Sequence, residues 1–444
     1  MTVLEIYGAV QSYDWGTLGK NGSKVAQLAA PIPDFKADQE KPYAELWMGT
    51  HPTLPSKLAS DGSSLKTYLE KNPELLDERV RKHYGGDDLP FLFKVLAIGK
   101  ALSIQAHPDK KLAQKLFKEK PDVYKDSNHK PEMAVALTDF SGFCGFRPLP
   151  QIVEYLKTVP EFTAVVGDSV ASSFIDTVTS APSKLVEKSP PAENPSSEYS
   201  ELQNALRKLF TALMEADPET TVKPNLRKLV QRYQKETGKQ ESKDMKFGTI
   251  EELVIRLNEQ FPDDVGAFCS FLLNVVELKK GEAVFLKANE PHAYLSGDII
   301  ECMATSDNVV RAGLTPKLRD VPTLTSMLTY TYGPSDSQLM KPKPFRAPSK
   351  HTTEYNPPIE EFSVLLIDTT SSGEEQHPAL AGPSILIVTE LKDDAVKLKY
   401  DGKEIDIKQA GQTFFIAAGV ELAFEGKMVA YRAFVEVEEE SSKL

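Results

Sequence analysis

Three glycine-led segments of this chain are built alike, and they restrict the fold more than any other feature. Gly99 leads, across a five-residue gap, to Gln105-Ala106-His107, and Gly281 leads by way of Asn289 to His292. Gly411 leads by way of Gly419 to Leu422 and aligns on the second segment without gaps, with eleven positions from glycine to final residue in both. A glycine turn, a short apolar strand and polar side chains at fixed offsets is how a small β-barrel presents side chains to its interior. The repeat therefore predicts two barrels of common design. Leucine stands in the second where histidine stands in the first, so only the first is expected to keep a ligand.

The spacing Gln105-x-His107 sends both side chains to one face of a strand, because Cβ atoms alternate. His292 would close the set from a neighbouring strand. Glu132, in His129-Lys130-Pro131-Glu132, adds the anion that a nearly neutral set needs to hold a dication. A lone buried histidine is usually a hydrogen-bonded core residue; the shared spacing favours ligation. Nitrogen and oxygen donors without thiolate suit a borderline or hard divalent ion. His51, His83, His351 and His377 lack such a context and read as surface or structural residues.

Groups fit for proton transfer and anion binding accompany this set: Lys94, Ser103, His129, Lys130, Tyr294, Glu301, Asp307, Arg311 and Lys317. Glu301, between Ile299-Ile300 and Cys302-Met303, is a candidate general base whose pKa burial and a nearby cation would set. A structural salt bridge is its equal alternative. Arg311, Lys317 and Arg319 fall within nine residues on a chain of net charge −12, and such a local reversal of sign can hold a phosphate. The alternative is a solvated basic loop.

At 444 residues the chain is too long for one ordinary core. Residues 1–150 read mainly as short strands, the N-terminal part of a catalytic barrel, with Pro90 to Leu96 a buried strand and Asp109 to Phe117 an amphipathic helix. From 151 to 267 the period changes to about 3.6, which predicts an inserted helical domain. Inside it, Thr177 to Ser200 is rich in Ser, Pro and Glu and reads as a mobile loop. Strand pattern resumes near Ser270, so 268–332 would complete the first barrel. Gly333 to Lys350 reads as a linker, and 351–444 as a second β domain without metal ligands. The fold class is mainly β: two jelly-roll barrels with an α-helical module between their strands.

Other classes are disfavoured. No run of about 18 apolar residues predicts a membrane span, and the N-terminus lacks a secretory pattern. Cys144, Cys269 and Cys302 are scattered and odd in number, which fits a reducing compartment; Cys144 reads as a small buried hydrophobe. The negative charge argues against nucleic acid. A cytoplasmic location is expected first; the ending Ser442-Lys443-Leu444 matches a peroxisomal address and would allow a minor peroxisomal pool, the alternative being a chance ending on a disordered tail.

Six co-linear motifs carry a family resemblance: Tyr13-Asp14-Trp15-Gly16, Ala44 to Gly49, Leu102 to Pro108, Asn128 to Glu132, Asn289 to Tyr294, and Asp307 to Lys317. Together they resemble the type I mannose-6-phosphate isomerases (phosphomannose isomerases) over essentially the whole chain. The resemblance implies a cupin fold and one zinc ion per chain, with Gln105, His107, Glu132 and His292 as ligands. It implies interconversion of mannose 6-phosphate and fructose 6-phosphate through an enediol(ate), supplying mannose for GDP-mannose and glycosylation or cell-wall synthesis. Arg311 matches the family's active-site arginine. Glu301 would carry the proton, with His129 or Lys130 as rival, while Ser103, Lys94, Tyr294, Asp307 and Lys317 would bind substrate. A monomer is expected. Glutamine at the first ligand position, a glutamate delayed by a helix, and Lys287 and Asn289 in place of proline and glycine depart from the general cupin pattern. These departures weigh against a metal-dependent cupin oxygenase. A non-catalytic sugar-phosphate-binding cupin is the remaining alternative.

Overall fold

The computed structural model describes residues 2–189, 197–238 and 248–437. The strand Phe91–Ile98 is buried along its whole length, as a strand covered on both faces must be. Lys94, Leu96 and Ile98 lie on one face, Phe93, Val95 and Ala97 on the other, and the two sets enter different cores. That division organises the molecule.

Two antiparallel layers form the first sandwich. One runs Ala283–Leu286, Glu132–Ala136, His292–Ala304, Phe91–Ile98, Glu45–Met48, Ala9–Gln11. The other runs Leu273–Leu278, Phe140–Phe146, His292–Ala304, Ile104–Ala106, Val310–Gly313. The long strand His292–Ala304 serves both, its first half in one layer and its second half in the other. It turns the corner at Gly297, where φ is +107° and a Cβ would meet Asp139 O at 2.5 Å, so only glycine fits.

The second sandwich stacks an eight-stranded sheet on the four strands Glu374–His377, Leu422–Glu425, Val396–Tyr400 and Lys403–Ile407. Its larger sheet packs on the outer face of the first sandwich: Phe93, Val95, Met133 and Ile300 share a core with Ile385, Phe415 and Val364. The helices from Leu149–Thr158 to Ile250–Gln260 cover the opposite face, where Ile104, Ala106 and Phe146 meet Leu209 and Phe210.

In chain order, the six strands from Phe91–Ile98 to Ala283–Leu286 correspond to the six from Ser363–Asp368 to Thr413–Ile416, and the long strand His292–Ala304 takes the place of both Leu422–Glu425 and Met428–Phe434. Where the second sandwich turns through Asp401-Gly402, the first carries the whole helical insert. The glycines heading the two repeats, Gly281 and Gly411, both sit at positive φ, 84° and 94°.

Four sequence expectations need correction. Residues 1–150 were expected to serve the first barrel, but Val3–Tyr7 and Lys57–Leu58 are strands of the second sandwich. Short helices also occur there, at Lys24–Leu28, Leu65–Lys71 and Glu78–Tyr84. The segment expected as a mobile loop at 177–200 is largely helical, in Asp168–Ser180, Ser183–Glu187 and the start of Ser197–Glu215. Ala171, Phe174 and Val178 bury a stripe that the serine-rich composition hides; residues 190–196 are outside the described set. Gly333 to Lys350 is no free linker, since Met340 N donates to Ala283 O at 2.8 Å, Lys343–Pro344 pairs with Thr352–Tyr355, and Phe345 is buried. The resumed strand begins at Leu273, after a 3₁₀ turn over Val265–Phe271. The terminal Ser442-Lys443-Leu444 lies outside the described residues.

Candidate metal centre and active-site cleft

Three side chains of metal-ligating type meet at one end of the first sandwich. His107, Glu132 and His292 are fully buried, and one donor atom from each lies within 4.8 Å of the others. Each stands beside a proline at the end or start of a strand: His107-Pro108, Pro131-Glu132, Pro291-His292. Proline has no N–H for the ladder and a fixed φ, so it sharpens the point where each ligand leaves or enters the sheet.

The hydrogen bonds define the imidazole tautomers. His107 Nδ1 is 2.6 Å from Asn308 O and His292 Nδ1 is 3.1 Å from Glu290 O. A carbonyl only accepts, so both Nδ1 atoms carry a proton, and each ring turns its Nε2 toward the carboxylate. Each Nε2 lies 3.4 Å from Glu132 Oε2. All three of these buried atoms lack a hydrogen-bond partner. Orphaned acceptors facing each other are costly, and a cation among them would satisfy all three.

Burial, the largest influence, together with the neighbouring Lys130 charge pushes the His107 pKa down to about 4 against the pull of Glu132, so the ring is neutral at pH 7. For Glu132 burial works the other way, but Lys130 and the histidines outweigh it and hold the carboxyl well below its usual range. Lys130 Nζ sits 2.8 Å from Glu132 Oε1. Gln105 is the ladder partner of His292 on one side and of Arg311 on the other. Directly opposed residues share a face, so all three belong to the same side of that layer.

A second polar cluster adjoins the triad. Register sets Glu301 opposite Lys94, with Lys94 Nζ 3.1 Å from Glu301 Oε2 and 3.5 Å from Glu45 Oε2. Tyr294 donates its hydroxyl proton to Glu301 Oε1 at 2.8 Å. Lys94 Nζ also lies 5.0 Å from the Trp47 ring centre, a cation–π distance. Burial raises the Glu301 pKa, helped by the Glu132 charge and opposed by Lys94. Burial opposes the Lys94 charge, but Glu45, Glu301 and Glu132 prevail and keep it an ammonium.

Arg311 and Ser103 open onto a cleft of about 500 Å³, walled also by Lys317, Lys100, Trp15 and, from the helical insert, Gln260. Burial lowers the Arg311 pKa. The structure does not bring every sequence-predicted residue to the centre. Asp307 is exposed, its carboxylate 4.0 Å from His51 Nε2. His129 turns away, its Nε2 hydrogen-bonded to Glu361 of the second sandwich. Sequence reading missed Glu45, which the alternation Glu45-Leu46-Trp47 places on the Trp47 face, and His51, which is buried edge-on against Trp47 at 5.0 Å. Cys144 is buried, and burial pushes its thiol up to about 12.

Among the described residues of the second sandwich, other side chains stand at the corresponding positions. Leu422 opposes His377 as His292 opposes Gln105. Ser384 opposes Ile416 and Phe434 as Glu132 opposes Leu286 and Met303. By the same register Arg432 stands in the place of Glu301. Its guanidinium donates to Ser384 Oγ at 2.9 Å and to His377 Nδ1 at 3.2 Å, so a built-in cation ties together the positions that hold donors in the first sandwich. Removing the imidazole in His377→Leu should take one of its two acceptors from this buried charge and cost about 2 kcal/mol, read as a lower urea midpoint with kcat unchanged.

Known proteins resemble this chain over nearly its whole length. Residues 3–149 match the family model described as phosphomannose isomerase type I, catalytic domain, and residues 177–273 match the helical insertion domain of that type. A mannose-6-phosphate isomerase from Cryptococcus neoformans var. neoformans is 48% identical, with 98% of this chain and 99% of the relative covered. One from Saccharomyces cerevisiae is 45% identical, with 96% and 97% covered. A zinc-bound crystal structure of mannose 6-phosphate isomerase superposes with a TM-score of 0.77 at 29% identity, covering 98% of this chain and 100% of that one.

Proposed function

Because this chain belongs to the type I phosphomannose isomerase family, we propose that its buried triad, with Gln105 as fourth donor, holds the single zinc ion of a mannose-6-phosphate isomerase. The observation that carries this reading is the convergence of three orphaned buried atoms, two imidazole nitrogens each 3.4 Å from one carboxylate oxygen. Two nitrogens and oxygen donors suit zinc. When bound by these residues, zinc would supply Lewis-acid chemistry to the reaction.

The chain's own groups then divide the work. The reaction opens the sugar ring and moves a proton between C2 and C1, passing through an enediol(ate) that yields fructose 6-phosphate. Glu301 is the proton carrier: its buried carboxylate takes the proton from one carbon and returns it to the other. Tyr294 fixes its Oε1 and Lys94 its Oε2, so the base is held in one orientation. The Lys94 ammonium and the Lys130 ammonium offer fixed positive charge to the oxyanion. Arg311, Lys317 and Ser103 take the phosphate or the C1/C2 oxygens at the cleft. His129, bonded to Glu361, and the exposed Asp307 are given no chemical step.

Every proposed ligand comes from one chain, so the centre asks for no second copy. Among the described residues no helix is long and apolar enough to cross a membrane. The activity would feed mannose into GDP-mannose synthesis and glycosylation from the cytoplasm.

The test is conversion of mannose 6-phosphate with metal analysis on the same sample. About one zinc per chain, activity lost on chelation and restored by zinc, is the expected result. Undiminished turnover after complete metal removal would overturn the reading.

A further inference from the structure

The segment Asn128 to Glu132 is tied at both ends. Glu132 enters the triad, and Asn128 is held to the other side, its amide donating to Thr305 O at 3.1 Å while its own carbonyl accepts from Asn308 Nδ2 at 2.9 Å. Between them, His129 Nε2 hydrogen-bonds the Glu361 carboxylate, which comes from the loop entering strand Ser363–Asp368 of the second sandwich. Glu361 is 8% exposed. Burial opposes its ionisation, but the His129 bond, the backbone and Lys110 hold it below the usual carboxylate range.

Lys110 is three residues beyond His107 and opens the helix Lys110–Glu119. The cap of that helix, Asp109, accepts from Asn289 Nδ2 at 2.7 Å, three residues before His292. One carboxylate from the second sandwich thus stands beside the segments that deliver Glu132 and His107, and the second of these is tied in turn to the segment that delivers His292. Its own loop is anchored, because Glu360 pairs with His83 at 3.0 Å and its carbonyl accepts from the Tyr84 hydroxyl at 2.6 Å.

We propose that Glu361 is a positioning residue of the isomerase: through His129 it fixes the Asn128–Glu132 segment, so that the sandwich without metal ligands sets the placement of Lys130 at the centre of the other. Lys130 precedes the strand and has no ladder partner to fix it. With His129 released, its ammonium would sample positions away from Glu132 and from the substrate oxygens. The inference rests on the triad being the catalytic centre.

The test compares Glu361→Gln, whose amide oxygen still accepts a hydrogen bond, with Glu361→Leu, which cannot. kcat, KM for mannose 6-phosphate, zinc content and Tm are measured on each zinc-loaded protein. Glu361→Leu should lose about tenfold in kcat, the lower end of the cost of an outer-shell partner, with KM and zinc content near wild type. Glu361→Gln should recover most of that rate. In a His129→Gln background Glu361→Leu should cost nothing further. Wild-type kcat in Glu361→Leu, or a loss in Glu361→Gln as deep as in Leu, would overturn the proposal; so would a fall in Tm with kcat intact. If the wild-type protein itself turns over without metal, the failure belongs to the triad assignment and not to Glu361.

Discussion

Glu301→Gln is expected to lower kcat by about 10²–10⁴-fold, the usual worth of a positioned general acid–base, with zinc retained and KM little changed. The substitution is close to isosteric, and the amide oxygen can still accept from the Tyr294 hydroxyl now 2.8 Å from Oε1. Lys94 keeps Glu45 as a partner at 3.5 Å, so the buried ammonium is not left alone. What disappears is the group able to take and return a proton. The pH profile supplies a second readout. Burial, the largest influence, raises the Glu301 pKa against the pull of Lys94, so the acidic limb of wild-type kcat/KM should lie above the ordinary carboxylate range, and that limb should vanish in the variant. A zinc-loaded Glu301→Gln enzyme with near-normal turnover would move the proton transfer to another group, with Lys130 next in line.

The centre was legible in the sequence because its chemistry is written in residue type and local spacing. Gln105 and His107 stand two apart on a strand, His292 ends the matching glycine-led segment, and strand periodicity tells which face a neighbour shares. Lys94 and Glu301 were named beside the ligands as groups fit for proton transfer or anion binding, Glu301 because a carboxylate between Ile299-Ile300 and Cys302-Met303 is set for burial. What sequence could not show is which strand lies beside which. Val3–Tyr7 has an ordinary strand pattern, and nothing in it reveals a partner at Thr413–Ile416. His129 looked like a catalytic neighbour of Glu132, yet its partner lies 232 positions away. Thr177 to Ser200 failed on composition, because serine and threonine on the outer face of a helix resemble loop residues while Phe174 and Val178 hold the inner face. The internal repeat predicted a second sandwich without ligands. That Arg432 would occupy the register position of Glu301 needed the pairing of both sheets.

His107→Ala is expected to abolish metal binding and activity together. The imidazole supplies one of two nitrogens facing Glu132 Oε2 at 3.4 Å, and its Nδ1–H bond to Asn308 O orients it. Losing a ligand should exceed the roughly 10–100-fold that an outer-shell partner costs. Acid should act on the wild-type site in the same direction as the mutation. In the metal-free protein, burial holds His107 near 4, below its ordinary 6.5, so the unfolded chain takes up the proton first. Stability from this group is complete above about 6.5 and is lost as pH falls toward 4. Protons also compete with metal for the same Nε2 lone pair, so zinc binding should weaken only as pH approaches about 4, where the folded ring takes up its proton. His107→Ala removes that titration, and the acid-side fall of apo-protein Tm should become shallower. Elemental analysis together with Tm against pH tests both statements. A variant that keeps a full complement of zinc would mean that the ion, and with it the sugar oxygens, sits elsewhere in the first sandwich.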